Sequence, residues 1–157
     1  MDRKTVDLRK ATVKDKAFAV ELDYRLDNVE HIELRREEKI SKAISDEQCF
    51  VILADDQAVG FVLFDYRFFD QGWIELMVID EKHRGKGIGT QAIDLVCRQC
   101  KAPKIFTSTN SSNLPMQKAL KKAGFSFSGQ LVGLDEGDPE LFYYKMVTVK
   151  SYFHGSK

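Results

Sequence analysis

Arg84-Gly85-Lys86-Gly87-Ile88-Gly89 packs three glycines and two full positive charges into six positions, directly before a helical pattern. A helix start offers amide N–H groups that have no partner inside the helix, and the macrodipole adds partial positive charge there. Glycines keep Cβ atoms out of the way of those amides. The stretch therefore has the chemistry of a phosphate or pyrophosphate cradle. It is neither of two familiar patterns. The Walker pattern G-x-x-x-x-G-K-[ST] is absent. The dinucleotide pattern G-x-G-x-x-G lacks its last glycine whether it begins at Gly85 or at Gly87. What remains is R-x-x-G-x-G, for which a basic strand-to-helix turn is the plainer alternative.

Other reactive side chains are scattered. Cys97 and Cys100 form a C-x-x-C without a second pair to complete a tetrahedral metal site, so they read as helix residues one turn apart and no metal is expected. Tyr143 and Tyr144 stand side by side in an apolar run, as strand aromatics or as a proton donor. His83 borders the glycine stretch as a surface residue, while His31 and His154 stand alone. Asp135, Glu136, Asp138 and Glu140 crowd one segment, and Asp65 and Asp70 lie among aromatics in Phe64–Trp73. Carboxylates beside aromatics attract a cationic amine. A solvated connection is the alternative for the acidic segment, and a buried plug or a dimer contact for Phe68 and Phe69.

The elements that must position these groups follow from periodicity. Thr5–Arg9 reads as a strand, and Thr12 with Asp15 as a capping box before a helix carrying Phe18, Leu22, Leu26 and Val29. Ile32, Ile40 and Ile44 mark a second helix. Cys49–Ala54 and Ala58–Tyr66 form a hairpin through Asp55-Asp56-Gln57, and Trp73–Ile79 is a further strand. Ile88, Ala92, Leu95 and Val96 give a helical face, and Lys104–Thr109 a strand. Asn113, Pro115 and Gly124 bracket a helix, and Phe125–Gly133 and Leu141–Val149 close the chain as strands. Alternation in the centre with paired strands at both ends predicts an α/β fold with a mixed sheet.

Together, R-x-x-G-x-G, the preceding WIELMVIDEKH, the later NLPMQKALKKAGF and the opening LRKATVKD resemble the GNAT superfamily of N-acetyltransferases, from about Val6 to Val149. The resemblance implies a mostly antiparallel sheet of about seven strands with about four helices, splayed between the fourth and fifth strands, where acetyl-CoA would lie. It implies that Leu76, Met77 and Val78 pair with the pantetheine arm and polarise the thioester. It implies that Arg84, Gly85, Lys86, Gly87, Ile88, Gly89 and Thr90 hold the pyrophosphate, and that Asn113 binds the cofactor. A helix N-cap is the other reading of Asn113. Two groups common in the family are replaced. Leu120 stands where many members have an acidic Tyr, and Ser108 where some have a Glu base. Glu75 is then the candidate base, acting through a water, unless it pairs with a basic residue across the sheet, and Tyr144 is the candidate acid.

The chain has 157 residues, 43% hydrophobic and 31% charged, which suits one domain over 1–157. Lys+Arg and Asp+Glu are both 24, so charge suggests neither nucleic acid nor a membrane surface as partner. No apolar run approaches a membrane span, and Met1–Lys10 does not resemble a secretion signal. Three cysteines inside apolar patterns fit a reducing cytoplasm better than a disulfide framework. The expected activity is acetyl transfer from acetyl-CoA to a primary amine, small molecule or peptide, by direct attack in a ternary complex, in a monomer or homodimer. A non-catalytic acyl-CoA-binding module and a protein-interaction module are the other function classes.

Overall fold

A computed structural model describes residues 4–26 and 33–147. Val29, His31, Ile32, Thr148, Val149 and His154 lie outside the described residues. The elements are β1 (Val6–Lys10), α1 (Lys16–Leu26), α2 (Glu33–Ser45), β2 (Cys49–Ala54), β3 (Gln57–Phe68), β4 (Gln71–Ile79), α3 (Ile88–Gln99), β5 (Lys104–Asn110), α4 (Leu114–Lys122), β6 (Ser126–Leu131) and β7 (Glu140–Met146). Seven strands form one sheet in the order β1-β2-β3-β4-β5-β7-β6. The β1–β2, β2–β3, β5–β7 and β6–β7 ladders are antiparallel, and β4 and β5 are parallel. The parallel ladder sets Gly72–Ile74 against Ile105–Thr107. β4 then runs on to Ile79 and β5 to Asn110 with no further mutual ladder among the described residues. A mixed, mostly antiparallel sheet is what the sequence predicts.

Two compact units divide the chain. One holds the residues up to Phe64 together with Leu76–Ala92, and the other holds Asp65–Glu75 and the residues from Ile93. In the first unit, Ala19 and Leu22 of α1 join Ile40, Ala43 and Ile44 of α2 in one core with Cys49, Val51, Phe61, Leu63 and Val78. Spacings of three and four put the helix residues on one face, and alternation does the same for Phe61 and Leu63. Ile40 is 1% exposed and Phe61 0%. Burying side chains of this size contributes roughly 1.5–3 kcal/mol each. The entry to α1 is pinned by Asp15, which accepts from the Thr12 N–H at 2.8 Å and from both Arg9 guanidinium arms at 2.8 and 2.9 Å. The Arg9 hydrogen bonds, helped by the Thr12 amide, bring the Asp15 carboxyl down to about 2. Asp55 and Asp56 turn the first hairpin with φ of 49° and 67°, as a two-residue primed turn requires.

In the second unit, β5 alternates strictly. Ile105, Thr107 and Thr109 are buried, while Phe106, Ser108 and Asn110 are half-exposed. Ile74, Ile93, Val96, Leu120, Phe125 and Tyr143 are buried with the first set. Asn113 caps α4 by accepting from the Met116 N–H at 3.2 Å, and Gly124 ends it at φ +91°.

The boundaries that matter most for the site differ from the sequence reading around Phe64–Trp73 and at the end of α3. The segment Phe64–Trp73 is mostly strand, since β3 continues to Phe68 and β4 starts at Gln71. Its turn is Phe69-Asp70 at φ 54° and 62°, a left-handed pair with no glycine to advertise it. Asp65 therefore sits well inside a strand, at 2% exposure. Cys100 lies one residue beyond α3, its N–H bonded to the Cys97 carbonyl at 3.2 Å in the closing turn.

Candidate functional site

The chain between β4 and α3 folds as a short 3-10 turn over Glu81–His83, then a glycine turn, then the helix. Gly85 and Gly87 adopt φ of +73° and +80°. A Cβ on either would meet nothing within 4 Å, so what demands glycine is the left-handed backbone and not crowding within the protein. The open space beside both is room for a ligand. Gly89 differs: it is helical, and a Cβ there would only touch Met77 Cε at 3.7 Å. The first bond into the helix is Gln91 N–H to the Gly87 carbonyl at 3.1 Å. The amides of Ile88, Gly89 and Thr90 thus precede the internal ladder. Arg84 Nε donates to the Ile79 carbonyl at 3.2 Å, which ties that side chain back onto the end of β4. Arg84 and Lys86 are exposed and have no acidic partner among the described residues. Free amides, open space and two cations fit a pyrophosphate.

In the same unit, β4 presents Leu76 and Met77 half-buried and Val78 buried. The Val78 carbonyl oxygen presses against Gly60 of β3 so closely that a Cβ on Gly60 would overlap it. The Ile79 Cα would lie 3.2 Å from the same Cβ. Asp80 N–H bonds to the Val59 carbonyl at 2.7 Å just beyond. The sequence reading passed over Gly60, although a lone glycine inside an apolar strand is a signal of close backbone approach.

The second unit holds the remaining candidates. Glu75 accepts from Arg67 Nη2 at 3.4 Å. Arg67 also binds buried Asp65, through Nη2 at 2.8 Å and its own N–H at 2.8 Å. The alternative stated for Glu75, a basic partner across the sheet, is therefore present. Tyr144 is half-buried with its ring 5.8 Å from Phe106, whereas Tyr143 is buried against Phe127. Leu120 is 0% exposed, a core side chain and nothing more. Ser108 donates to Glu140 Oε2 at 2.6 Å, a pairing that sequence order gave no hint of. The side-chain oxygen of Asn113 is taken up as an N-cap.

In the acidic segment, Asp135 accepts from Asn110 Nδ2 at 2.8 Å. Asp138 accepts from the hydroxyls of Ser111 and Ser112 at 2.7 and 2.6 Å and from the Ser112 N–H at 3.0 Å. The Ser112 and then the Ser111 hydroxyl hold the Asp138 carboxyl below its ordinary range. Those two carboxylates fasten the segment to the end of β5. Phe68 is half-buried in an aromatic stack and Phe69 is exposed. His83 Nδ1 is inaccessible and has no hydrogen-bond partner among the described residues.

All three cysteines are free and buried. Burial pushes the Cys49 thiol up to about 12 and Cys97 to about 11, and raises Cys100 as well. No group of three or more His, Cys, Asp or Glu among the described residues is arranged to hold a metal ion. No described helix is long and apolar enough to cross a membrane.

The chain is similar to known acetyltransferases. Over 101 residues the chain is 31% identical to the streptothricin acetyltransferase of Escherichia coli, a match spanning 60% of this chain and only 57% of that protein's own length. The structure is similar to a GNAT-family acetyltransferase from Bacillus cereus ATCC 10987, with a TM-score of 0.82 and 29% identity over 92% of this chain and 99% of the other. Its fold also matches Ard1 from Thermoplasma volcanium, with a TM-score of 0.76 at 17% identity, covering 92% of this chain and 99% of that one. The model of the acetyltransferase (GNAT) family matches residues 15–125, more than half of the sequence. With the glycine turn, the free helix amides and the parallel β4–β5 pair in place, the chain belongs to the GNAT acetyltransferase family.

Proposed function

We propose that the protein transfers an acetyl group from acetyl-CoA to a primary amine by direct attack in a ternary complex. The observation that carries this reading is the Arg84–Thr90 turn, with its two left-handed glycines opening onto free space ahead of unpartnered helix amides. Those amides would grip the pyrophosphate, with Arg84 and Lys86 adding charge. Leu76, Met77 and Val78 would run beside the pantetheine arm as an added strand does, and an amide there would donate to the thioester oxygen as charge grows on it. Asn113, its oxygen engaged by the Met116 N–H, keeps its amide nitrogen for the cofactor. Acetyl-CoA supplies an activated acyl carbon and a good leaving group.

Glu75 precedes Leu76 on the same strand. It would take the ammonium proton through a water, with Arg67 fixing the carboxylate's position. The amine nitrogen would then bond to the acyl carbon and shed its second proton to water, while the carbon–sulfur bond breaks and the sulfur leaves with the electron pair. A thiol pKa of ~8.5 lets that thiolate leave without a strong acid, which suits a site whose usual Tyr is a buried leucine. Tyr144 is the remaining candidate donor for the sulfur. Three free, buried thiols fit a reducing, cytoplasmic setting.

The test is calorimetric binding of acetyl-CoA followed by a consumption assay over polyamines, aminoglycosides, amino acids and peptides. Streptothricin joins the panel because the similar Escherichia coli enzyme carries its name. Absence of acetyl-CoA binding would sink the reading. Tight binding with no turnover on any amine would favour the non-catalytic acyl-CoA-binding module, for which Leu120 and Ser108 at the usual acid and base positions are the support.

A further inference from the structure

Helix α1 carries two apolar stripes, and the core takes up one of them. Ala19 and Leu22 face the core shared with α2. Val13, Ala17, Val20 and Tyr24 follow one another at spacings of four, three and four, on the opposite side of the helix. Val13 lies in the 3-10 turn that leads straight into α1. It is 82% exposed and Tyr24 is 50% exposed, so this second stripe stands in water. The neighbouring helix is different. Among its described side chains the exposed ones on α2 are Glu38, Lys39, Lys42 and Ser45, all polar. A lone apolar side chain at the surface is ordinary, but a continuous row marks an interaction surface.

Charge decides what the row fits. The open groove along it is rimmed by Lys16, Glu21, Arg25 and Glu37. Around the helix, Lys16 flanks the row on one side and Glu21 on the other. Lys16 Nζ lies 3.6 Å from Glu37 of α2, and Arg25 Nη2 lies 2.7 Å from Glu21. A four-three apolar row, with a cation on one flank and an anion five residues later on the other, suits two parallel helices packed about a two-fold axis. In that pairing Lys16 of each copy meets Glu21 of the other. Charges then alternate along each side of the row, from Glu37 and Lys16 of one copy to Glu21 and Arg25 of the second. An antiparallel pair would set Lys16 against Lys16 and Glu21 against Glu21. The parallel contact is its own complement, as a two-fold dimer requires.

We propose that the outer face of α1 is a dimerisation surface, on which a second copy of the chain packs its own α1 in parallel. Val13, Ala17, Val20 and Tyr24 form the apolar centre, with the small Ala17 letting the helices approach closely. The two Lys16–Glu21 contacts fix the orientation. One helix pair is a small contact, so the dimer is a concentration-dependent one, with dissociation in roughly the micromolar range or above.

The test is sedimentation of the full chain from about 5 to 500 µM, which brackets that range. The parent should show a monomer–dimer equilibrium. Ala17→Glu should raise the dissociation constant about a hundredfold or more by setting two carboxylates at the centre. Lys16→Glu and Glu21→Lys should each raise it about tenfold or more, because each sets like charges against each other twice. An equimolar mixture of those two variants should associate about as tightly as the parent, since every flank is again paired. All three sites are helix surface positions that accept Glu or Lys without strain, and unchanged circular dichroism checks that the variants fold. A parent that stays monomeric at about 500 µM would give the row to some other protein and overturn the proposal. A dimer indifferent to Ala17→Glu would place the interface elsewhere. A mixture no tighter than either variant alone would rule out the parallel pairing.

Discussion

The turn ahead of α3 and the aromatic face of the second unit are built on opposite plans. Every group in the turn comes from one contiguous run, Arg84–Thr90, and most of them are main-chain N–H groups. The aromatic face draws on Phe68, Trp73, Phe106, Phe142 and Tyr144 from four strands, and it is made of side chains. A main-chain site needs only a local conformation, so a few residue types suffice to specify it. A side-chain site needs the register of every strand that feeds it. The first plan suits a ligand group that never varies, and the second suits one that differs from protein to protein.

Experiments can press on that contrast. Gly87→Asp should have the largest effect. It forces a side chain onto φ +80° and sets a carboxylate against phosphate, so acetyl-CoA affinity should fall about a hundredfold or more by calorimetry. Unchanged affinity would mean that the turn is not the anion site. Glu75→Gln comes next: turnover should drop about tenfold to a hundredfold while acetyl-CoA affinity holds. A pH–rate profile identical to that of the parent would take Glu75 out of the chemistry. Gly60→Ala touches neither ligand group but displaces the Val78 carbonyl. Overpacking of this kind costs about 1–3 kcal/mol, and coenzyme affinity should weaken about tenfold. Loss of stability with affinity intact would show that the shape of β4 at Val78 is irrelevant to the cofactor.

The smallest effect is a control outside both regions. Asp15→Asn removes a carboxylate held at about 2 by Arg9 and Thr12 and should lower stability at neutral pH by about 1 kcal/mol. The folded-state value is depressed, so this contribution is complete above about pH 4 and vanishes as pH falls through about 2. Melting curves of the two proteins should therefore converge in acid, and a gap at pH 2 as large as at neutral pH would contradict the assignment.

Much of the fold was legible because its signals are local. The Asp55-Asp56 turn, the Asn113 cap with Pro115 behind it, and Gly124 at the end of α4 all sit where the sequence puts them. The turn at Phe69-Asp70 was not legible, since Phe69 does not favour a left-handed backbone and reads as strand or plug, which masks the turn signal of Asp70. The Ser108–Glu140 and Glu75–Arg67 pairings were hidden for another reason. Each joins residues on different strands, and only the ladder register brings them together. Gly60 lay between. Its type was informative, but the carbonyl it accommodates belongs to a strand whose registration against β3 the sequence does not state.

The sealed thiols have a practical corollary. Cys49 at about 12 and Cys97 at about 11, with Cys100 also raised, remain protonated and out of reach in neutral buffer. A chromogenic disulfide reagent added to the reaction would then be consumed by liberated coenzyme and not by the polypeptide. Colour development would count turnovers directly, and any slow background rise with protein alone would time the spontaneous opening of the interior.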